Sequence, residues 1–457
     1  MKANSPIVLL ALLFFLLAHP FTHVVLAEIF EIYPSATESC DEEFESIANK
    51  LKPGDELVLH EGIYSQGCRR SLTAQGAPDK PIIIRAASGS RPVLSRSAKS
   101  NALENNLDII DSSYLIIRGL GFRGGSIGVR FIGGNHITLE DCEVFETLST
   151  AIAMNRGNMD SVIIRRNHIH HSGQDRSRPV EGEGLYVGCH DGSCRVSNSL
   201  FEGNYIHHLR GTSSGGNDGI EIKFGSHGNI IRDNVIHDTN IGRQYPCIFV
   251  YGGGPAPNVV EGNAVWNCGE GIQVVADAVI RNNIVLNSSN TGITAAPHAA
   301  NRQLRNVSIV NNTIVGHPKC MDLRWEGAEN MILANNAIYC PDGIAISAFG
   351  LSGPGITVRA NVVDGIISRL STDGVKFISG GRLSNAFGNS DPFDVWPRAR
   401  SVLIGKGDPK FAPRNDFNKT SRNSATVDVG AYETKNSATN PGWKIIPGFK
   451  QMDIKRE

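Results

Sequence analysis

The segment Asn217-Asp-Gly-Ile-Glu-Ile-Lys223 sets two carboxylates and an ammonium group close together along the chain. Glu221 and Lys223 are two residues apart, so on an extended strand they point to the same side, and Asp218 sits at the Asp-Gly turn just before them. A lysine beside a carboxylate can move a proton, and several carboxylates together can hold a hard cation. Glu183 and Glu270 take the same place before a glycine in Glu183-Gly-Leu-Tyr-Val187 and Glu270-Gly-Ile-Gln-Val274. Asp218, Glu221 and Glu183 are therefore candidate ligands for a hard cation. The plainer alternative is a run of good turns with an exposed Glu/Lys pair, worth under about 1 kcal/mol. His190 and His227 are rival proton acceptors, the latter in Gly225-Ser-His-Gly228. No nucleophile elbow supports a Ser-His-Asp triad.

These side chains lie within a repeat. Val162-Ile-Ile-Arg-Arg-Asn167-His-Ile169 recurs as Asn229-Ile-Ile-Arg-Asp-Asn234-Val-Ile236 and Asn258-Val-Val-Glu-Gly-Asn263-Ala-Val265, with further copies centred on Asn204, Asn283, Asn312, Asn336 and Asn361. After most copies comes a second short strand, as in Gly219-Ile-Glu-Ile222 and Gly343-Ile-Ala-Ile346. Strands of period two on so short a repeat cannot bury their apolar faces alone and must stack. The fold class expected is all-β: a right-handed parallel β-helix solenoid, one strand thick, of about ten coils over residues 55–370. Recurrent asparagine suits one turn of each coil, tolerating the left-handed conformation and bonding the asparagine of the next coil. Cys142 takes the asparagine place in an earlier copy and reads as a buried, inert thiol. Ser39 to Leu51 reads as a short N-terminal capping helix. Residues 371–457 form a C-terminal capping region, with Asp428-Val-Gly-Ala-Tyr-Glu433 closing the far end.

Stacking would align the outward residues into a wall: Arg130, Ala153, Tyr186, then Glu221 with Lys223, Phe249 with Tyr251, Gln273, Thr294, and Asp322 with Arg324. Mixed aromatics, amides and charges suit a sugar chain, whose C–H faces pack on rings while its hydroxyls take directed hydrogen bonds. His168, His170, His171, His207, His208 and His237 fall in the repeat turns and read as structural.

The chain has 457 residues, with 44 Lys plus Arg against 45 Asp plus Glu, a formal charge of −1. That balance disfavours nucleic acid as a partner. Lys2, the apolar run Ile7 to Leu17 and Val25-Leu26-Ala27 make residues 1–27 a signal peptide, so residues 28–457 are expected to be secreted and extracellular, with no membrane span. A monomer is expected. Secretion permits disulfides, for which the expected pairs are Cys40–Cys68, Cys189–Cys194, Cys247–Cys268 and Cys320–Cys340. Asn287, Asn306, Asn311 and Asn418 begin glycosylation sequons.

Leu51-Lys-Pro-Gly-Asp55 with Glu61-Gly-Ile-Tyr64, Asp79-Lys-Pro-Ile-Ile-Ile-Arg-Ala86, the asparagine repeat, and Asp428 to Glu433 together span nearly all of residues 28–457. In these features the chain resembles the right-handed parallel β-helix polysaccharide lyases and uronate C5-epimerases, of the chondroitinase B-like and alginate lyase-like kind. The resemblance implies an acidic polysaccharide bound across a groove on one sheet. In some members a calcium ion neutralises the sugar carboxylate, with a lysine base and an arginine acid. Placed on this chain, proton removal beside a uronate carboxylate would use Lys223 as base and Arg324 as the carboxylate's partner. Tyr251 would protonate the departing oxygen, and His227 is the rival base. Tyr186, Phe249, Gln273, Asp322 and His190 would contact substrate. A glycoside hydrolase is the alternative, drawing two carboxylates from Asp218, Glu221, Glu183 and Asp322. A third is a non-catalytic glycan-binding or adhesion solenoid.

Overall fold

The computed structural model describes residues 27–34, 42–66, 69–96, 104–212, 216–239, 245–368, 375–388, 393–422 and 425–434. The expected signal peptide, but for residue 27, and the expected Cys40–Cys68 pair lie outside the described residues. Parallel strands wind into a right-handed solenoid of about 12 turns, two more than the ten expected, because the first coils carry no asparagine at that turn. Each coil contributes to three sheets in chain order. One coil runs through Leu185–Val187 on the first sheet, Leu200–Glu202 on the second and Tyr205–His207 on the third, and the next repeats this at Ile220–Ile222, Ile230–Arg232 and Val235–His237. Strands of three residues suffice because alternation is complete within them: Ile164, Phe201, Ile231 and Val260 are wholly buried in one interior column.

Between the second and third sheets the amide of each ladder asparagine donates to the oxygen of the next. Asn167, Asn204, Asn234, Asn263, Asn283, Asn312, Asn336 and Asn361 form one unbroken row at 2.9 to 3.0 Å. Each Oδ1 also accepts the backbone N–H of the preceding coil's asparagine, as at Asn234 to Asn263, 3.0 Å. The left-handed residue is the one before each ladder asparagine: Arg166, Gly203, Asp233, Gly262, Asn282, Asn311, Asn335 and Ala360 have positive φ. The expected division of labour is thus corrected. Were the ladder asparagine itself left-handed, its side chain would leave the interior; the preceding residue makes the bend and Asn keeps its amide in the row. Cys142 tops the row, its N–H bonded to Asn167 Oδ1 at 3.0 Å, and burial pushes its thiol up to about 12. Asn263→Ala removes the acceptor of Asn234's two N–H groups and the donor to Ile231 O and Asn283 Oδ1. With buried groups left unpaired at about 1 kcal/mol or more each, a loss on the order of 3 kcal/mol is expected in denaturant unfolding. An unchanged midpoint would show the ladder to be ornamental.

Cys247–Cys268 and Cys320–Cys340 are bridged, with Cα atoms 5.7 and 5.9 Å apart, as is Cys189–Cys194; Cys142 is free and buried. The helix Glu42–Ala48 buries Phe44 and Ala48 against the first coils. No described helix is long and apolar enough to cross a membrane.

The C-terminal region departs from expectation. Asp428 to Glu433 does not close the far end; it lies along the flank, where Asn311 Nδ2 donates to Asp428 O, Gly430 N to Asn335 O, and Ala431 N to Thr313 Oγ1. Phe387, Trp396, Phe417 and Tyr432 cover outward residues of the third sheet, including Trp266, Leu286 and Tyr339. That outer face carries Val, Ala, Leu and Trp where a solvated sheet would be polar, and only a covering segment keeps it dry. Asn311 is fully buried in this contact, which closes its sequon to modification in the folded chain.

Candidate active site

The outward residues of the first sheet fall into one column by strand register. Arg130 pairs with Ala153, Ala153 with Tyr186, Tyr186 with Glu221, Glu221 with Phe249, Phe249 with Gln273, Gln273 with Thr294, and Thr294 with Asp322. Over the middle of this column opens a cleft of about 480 Å³, lined among others by Asp218, Glu221, Phe249, Tyr251, Gln273 and His298. The loop at Pro297 to Asn301 forms one wall, pinned by Asn301 Nδ2 donating to Tyr251 O at 2.8 Å. His190, exposed in the loop closed by the Cys189–Cys194 disulfide, stands at the rim.

Glu221 and Lys223 do leave the solenoid core on the same side, but they are not exposed: they are 1% and 2% accessible. Neighbouring rings cover them. Lys223 Nζ lies 4.2 Å from the Tyr186 ring centre and 5.2 Å from that of Tyr251. Tyr251 stacks on Phe249 at 4.0 Å and meets His298 edge-on at 4.9 Å. Glu221 Oε1 accepts hydrogen bonds from both Lys223 Nζ and Tyr251 OH, the latter at 2.9 Å. The expectation of a solvated pair worth little is therefore overturned, since a buried pair broken on one side leaves an uncompensated charge. Burial, reinforced by the Glu221 charge, raises Tyr251 above the usual phenol range and keeps its proton in place. Burial, with the charges of Lys223 and His190 behind it, holds His298 below the usual imidazole range.

Two carboxylates, Asp218 and Glu221, line the cleft floor, and a third, Glu183, is buried close to them. Glu183, Asp218 and Glu221 are all buried, and among the described residues Glu183 Oε1, Asp218 Oδ1 and Glu221 Oε2 have no hydrogen-bond partner. Gly216 makes room for them: a Cβ there would sit 2.7 Å from Glu183 Oε1 and 3.7 Å from Asp218 Oδ2. Burial and then the Glu221 charge push Glu183 up to about 8, and its Oε2 accepts from Thr150 Oγ1 at 2.7 Å. Asp218 is raised well above its ordinary range by the same two causes. A carboxyl raised on folding favours the folded state at low pH, fully below its unfolded value near 4.5, and loses that contribution as pH climbs through about 8. In chelator the melting temperature is thus expected to fall between those limits, and Glu183→Gln, which mimics the protonated acid, to flatten the fall by a few kcal/mol. A variant with the wild-type slope would exclude Glu183 as its origin.

Not every residue singled out from sequence joins this cleft. His227 lies in a separate groove with Asp160, Arg195 and Ser197, its Nδ1 2.9 Å from Gly225 O, because the chain turns off the first sheet after Lys223. Arg324 does line the cleft, but at its far end, four coils beyond Glu221, roughly 19 Å at about 4.8 Å per coil, with its side chain 60% exposed and bonded to Asp322 at 3.1 Å. It therefore cannot neutralise the carboxylate of a sugar whose proton Lys223 takes. His298 was not singled out from sequence; it sits in a loop with no repeat signature, and only the pin at Asn301 brings it in. Glu270 Oε1, accepting from Asn290 at 3.1 Å, and Lys319, bonded to Asp322 at 3.1 Å, line the same cleft.

A family model described as the right handed beta helix region matches residues 82–214 and 197–338, together more than half of the chain. The chain belongs to the right-handed β-helix family. No curated protein sequence matches this β-helix protein significantly. Among solved structures, an alginate lyase from Paenibacillus sp. is 22% identical with a TM-score of 0.51, over 67% of this chain and 97% of that one. Pectate lyase Pel9A is 14% identical with a TM-score of 0.53, over 90% and 97%. XylC in complex with xylose is 11% identical with a TM-score of 0.61, over 90% and 99%. At these identities the likeness is one of fold.

Proposed function

We propose that this β-helix protein is a polysaccharide-active enzyme of the lyase or C5-epimerase kind, acting in the extracellular space on a uronate polymer laid across the first sheet. The observation that carries the reading is the single oxygen, Glu221 Oε1, that binds both Lys223 and Tyr251 at the floor of an aromatic cleft. Glu221 Oε1, in contact with Lys223 Nζ, is the acceptor that takes a proton from it and leaves a free amine. The amine then removes the proton on the sugar carbon next to the carboxylate. In elimination that electron pair forms the new C=C bond, the adjacent C–O bond breaks, and Tyr251 protonates the leaving oxygen. The shared Glu221 oxygen offers a path that returns the proton from Lys223 to Tyr251. In epimerisation the proton is instead returned to the other face of the same carbon.

The sugar carboxylate needs a positive charge beside it while the proton leaves. Glu183 and Asp218 offer buried oxygens without a partner among the described residues, the donor chemistry a hard cation takes, while Glu221 holds the proton from Lys223. Held there, Ca2+ would supply that charge. Tyr186, Phe249, Gln273 and His190 give the rings and polar groups for neighbouring sugars, and Asp322 with Arg324 serves a sugar several units along. Two fold neighbours named as lyases of alginate and of pectate support the polymer class. The raised Glu183 carboxyl favours one further reading, a hydrolase using it as general acid.

Incubation with alginate, pectate, glycosaminoglycans and neutral glycans separates these readings. Ultraviolet absorbance of an unsaturated uronate marks elimination, solvent deuterium entering the sugar without chain cleavage marks epimerisation, and reducing ends without absorbance mark hydrolysis. A protein giving none of these signals on any polymer is a binder, and the proposal fails.

A further inference from the structure

The third sheet carries a second chemical centre, unrelated to the cleft. Glu143 pairs in register with His168, Phe145 with His170, His170 with His207, and His207 with His237. Ile169 points inward and is wholly buried, so His168 and His170 both face outward beside Glu143. Glu143 Oε1 lies 3.0 Å from His170 Nε2 and 3.5 Å from His168 Nδ1, and one ligand atom from each of the three residues lies within 4.8 Å of the others. A tetrahedral zinc-like ion with bonds near 2.0–2.1 Å sets its ligands about 3.3 Å apart, a value the two measured edges bracket.

A histidine that ligates through one nitrogen carries its proton on the other, and that N–H needs an acceptor. Both have one. His170 Nδ1 is 2.7 Å from His171 Nδ1; His168 Nε2 is 2.8 Å from His207 Nε2, whose own Nδ1 is 2.7 Å from His208 Nδ1. From these contacts we propose that Glu143, His168 and His170 bind a transition-metal dication of the zinc class, oriented by His171 and by the His207–His208 relay. Side chains 37%, 33% and 15% exposed leave the ion an open position toward solvent. Two imidazoles and one carboxylate select zinc, cobalt or nickel over calcium, the opposite preference to the all-oxygen cleft floor. His208, His237 and Asp238 also gather within 4.8 Å, but His237 is committed on both nitrogens, to Asp238 at 2.6 Å and Tyr205 OH at 3.0 Å.

The same rings also form a stack, Phe145–His170–His207–His237–Trp266, with neighbouring centres 4.5 to 5.4 Å apart. A stack without an ion is the competing account, and titration separates the two. The secreted chain, prepared without a polyhistidine tag, is titrated calorimetrically with ZnCl2 in excess Ca2+, and Co2+ is followed by its visible spectrum. One ion per chain is expected, with cobalt showing the bands of a low-symmetry nitrogen and oxygen site. The His168→Asn, His170→Asn double variant should lose at least ~100-fold in affinity. His207→Phe should lose about 10- to 100-fold as an orienting partner is removed, and Glu183→Gln beside the cleft should lose nothing. Should the double variant misfold, zinc must still protect His168 and His170, and not His190, from acylation by diethyl pyrocarbonate in the wild-type chain. Absence of stoichiometric zinc, unchanged affinity in the folded double variant, or protection elsewhere would overturn the site.

Discussion

Tyr251→Phe is expected to lower turnover on a uronate polysaccharide by two or more orders of magnitude while leaving the fold in place. The hydroxyl is the proton donor in the proposed step, and loss of a general acid typically costs ~100-fold to ~10,000-fold. The ring stays, and with it the stacking on Phe249 and the edge contact with His298. Only one hydrogen bond, to Glu221, is lost. Lys223→Ala should be at least as inactive but is a poorer test alone, because it strands Glu221 as a buried charge and should cost about 3–5 kcal/mol of stability. The Lys223→Met, Glu221→Gln pair removes both charges together and should recover most of that stability without recovering turnover. A folded Tyr251→Phe protein with wild-type turnover would move the acid elsewhere, to His298 first.

Arg422→Leu is expected to release the C-terminal region from the flank. Arg422 and Glu433 have wholly buried side chains paired at 3.2 Å, and the other guanidinium protons reach Asp428 O, Gly430 O and Ala431 O. One planar fork thus folds Asp428 to Glu433 around itself, and no lysine can reproduce the geometry. Its removal leaves Glu433 buried without its countercharge and several carbonyls unpaired, a loss of about 3–5 kcal/mol. Trp396, whose ring lies 4.9 Å from that of Tyr432, should report the release as a red-shifted fluorescence at temperatures where the solenoid still holds its circular dichroism. Arg422→Lys should show most of the same loss. If either variant keeps the wild-type melting profile, the pair does not hold the region down.

The sequence was most informative where the fold repeats. Each coil restates the same alternation of apolar and polar residues, so eight weak signals reinforce one another and fix the outward column from Arg130 to Asp322 by strand pattern alone. The disulfides at Cys247–Cys268 and Cys320–Cys340 followed from the same coil spacing. Wherever a residue's role depends on something outside its own coil, local pattern was silent. Lys223 looked exposed because its strand says outward, whereas Tyr186 and Tyr251 on the adjoining coils close over it. His298 entered the cleft through a loop pinned by Asn301, and His227 left it through a turn.

Period-two alternation and the recurrence of asparagine determined the solenoid by themselves, because short strands with one apolar face have no other way to bury it. Which outward residues are wet, dry, charged or convergent was decided only by the tertiary structure. Desolvation and coupling between charges depend on what neighbouring coils and the returning C-terminal segment place within a few ångströms. That proximity raised Glu183, covered Trp266 and gathered Glu143 with His168 and His170, and none of it is carried by the order of residues along a single strand.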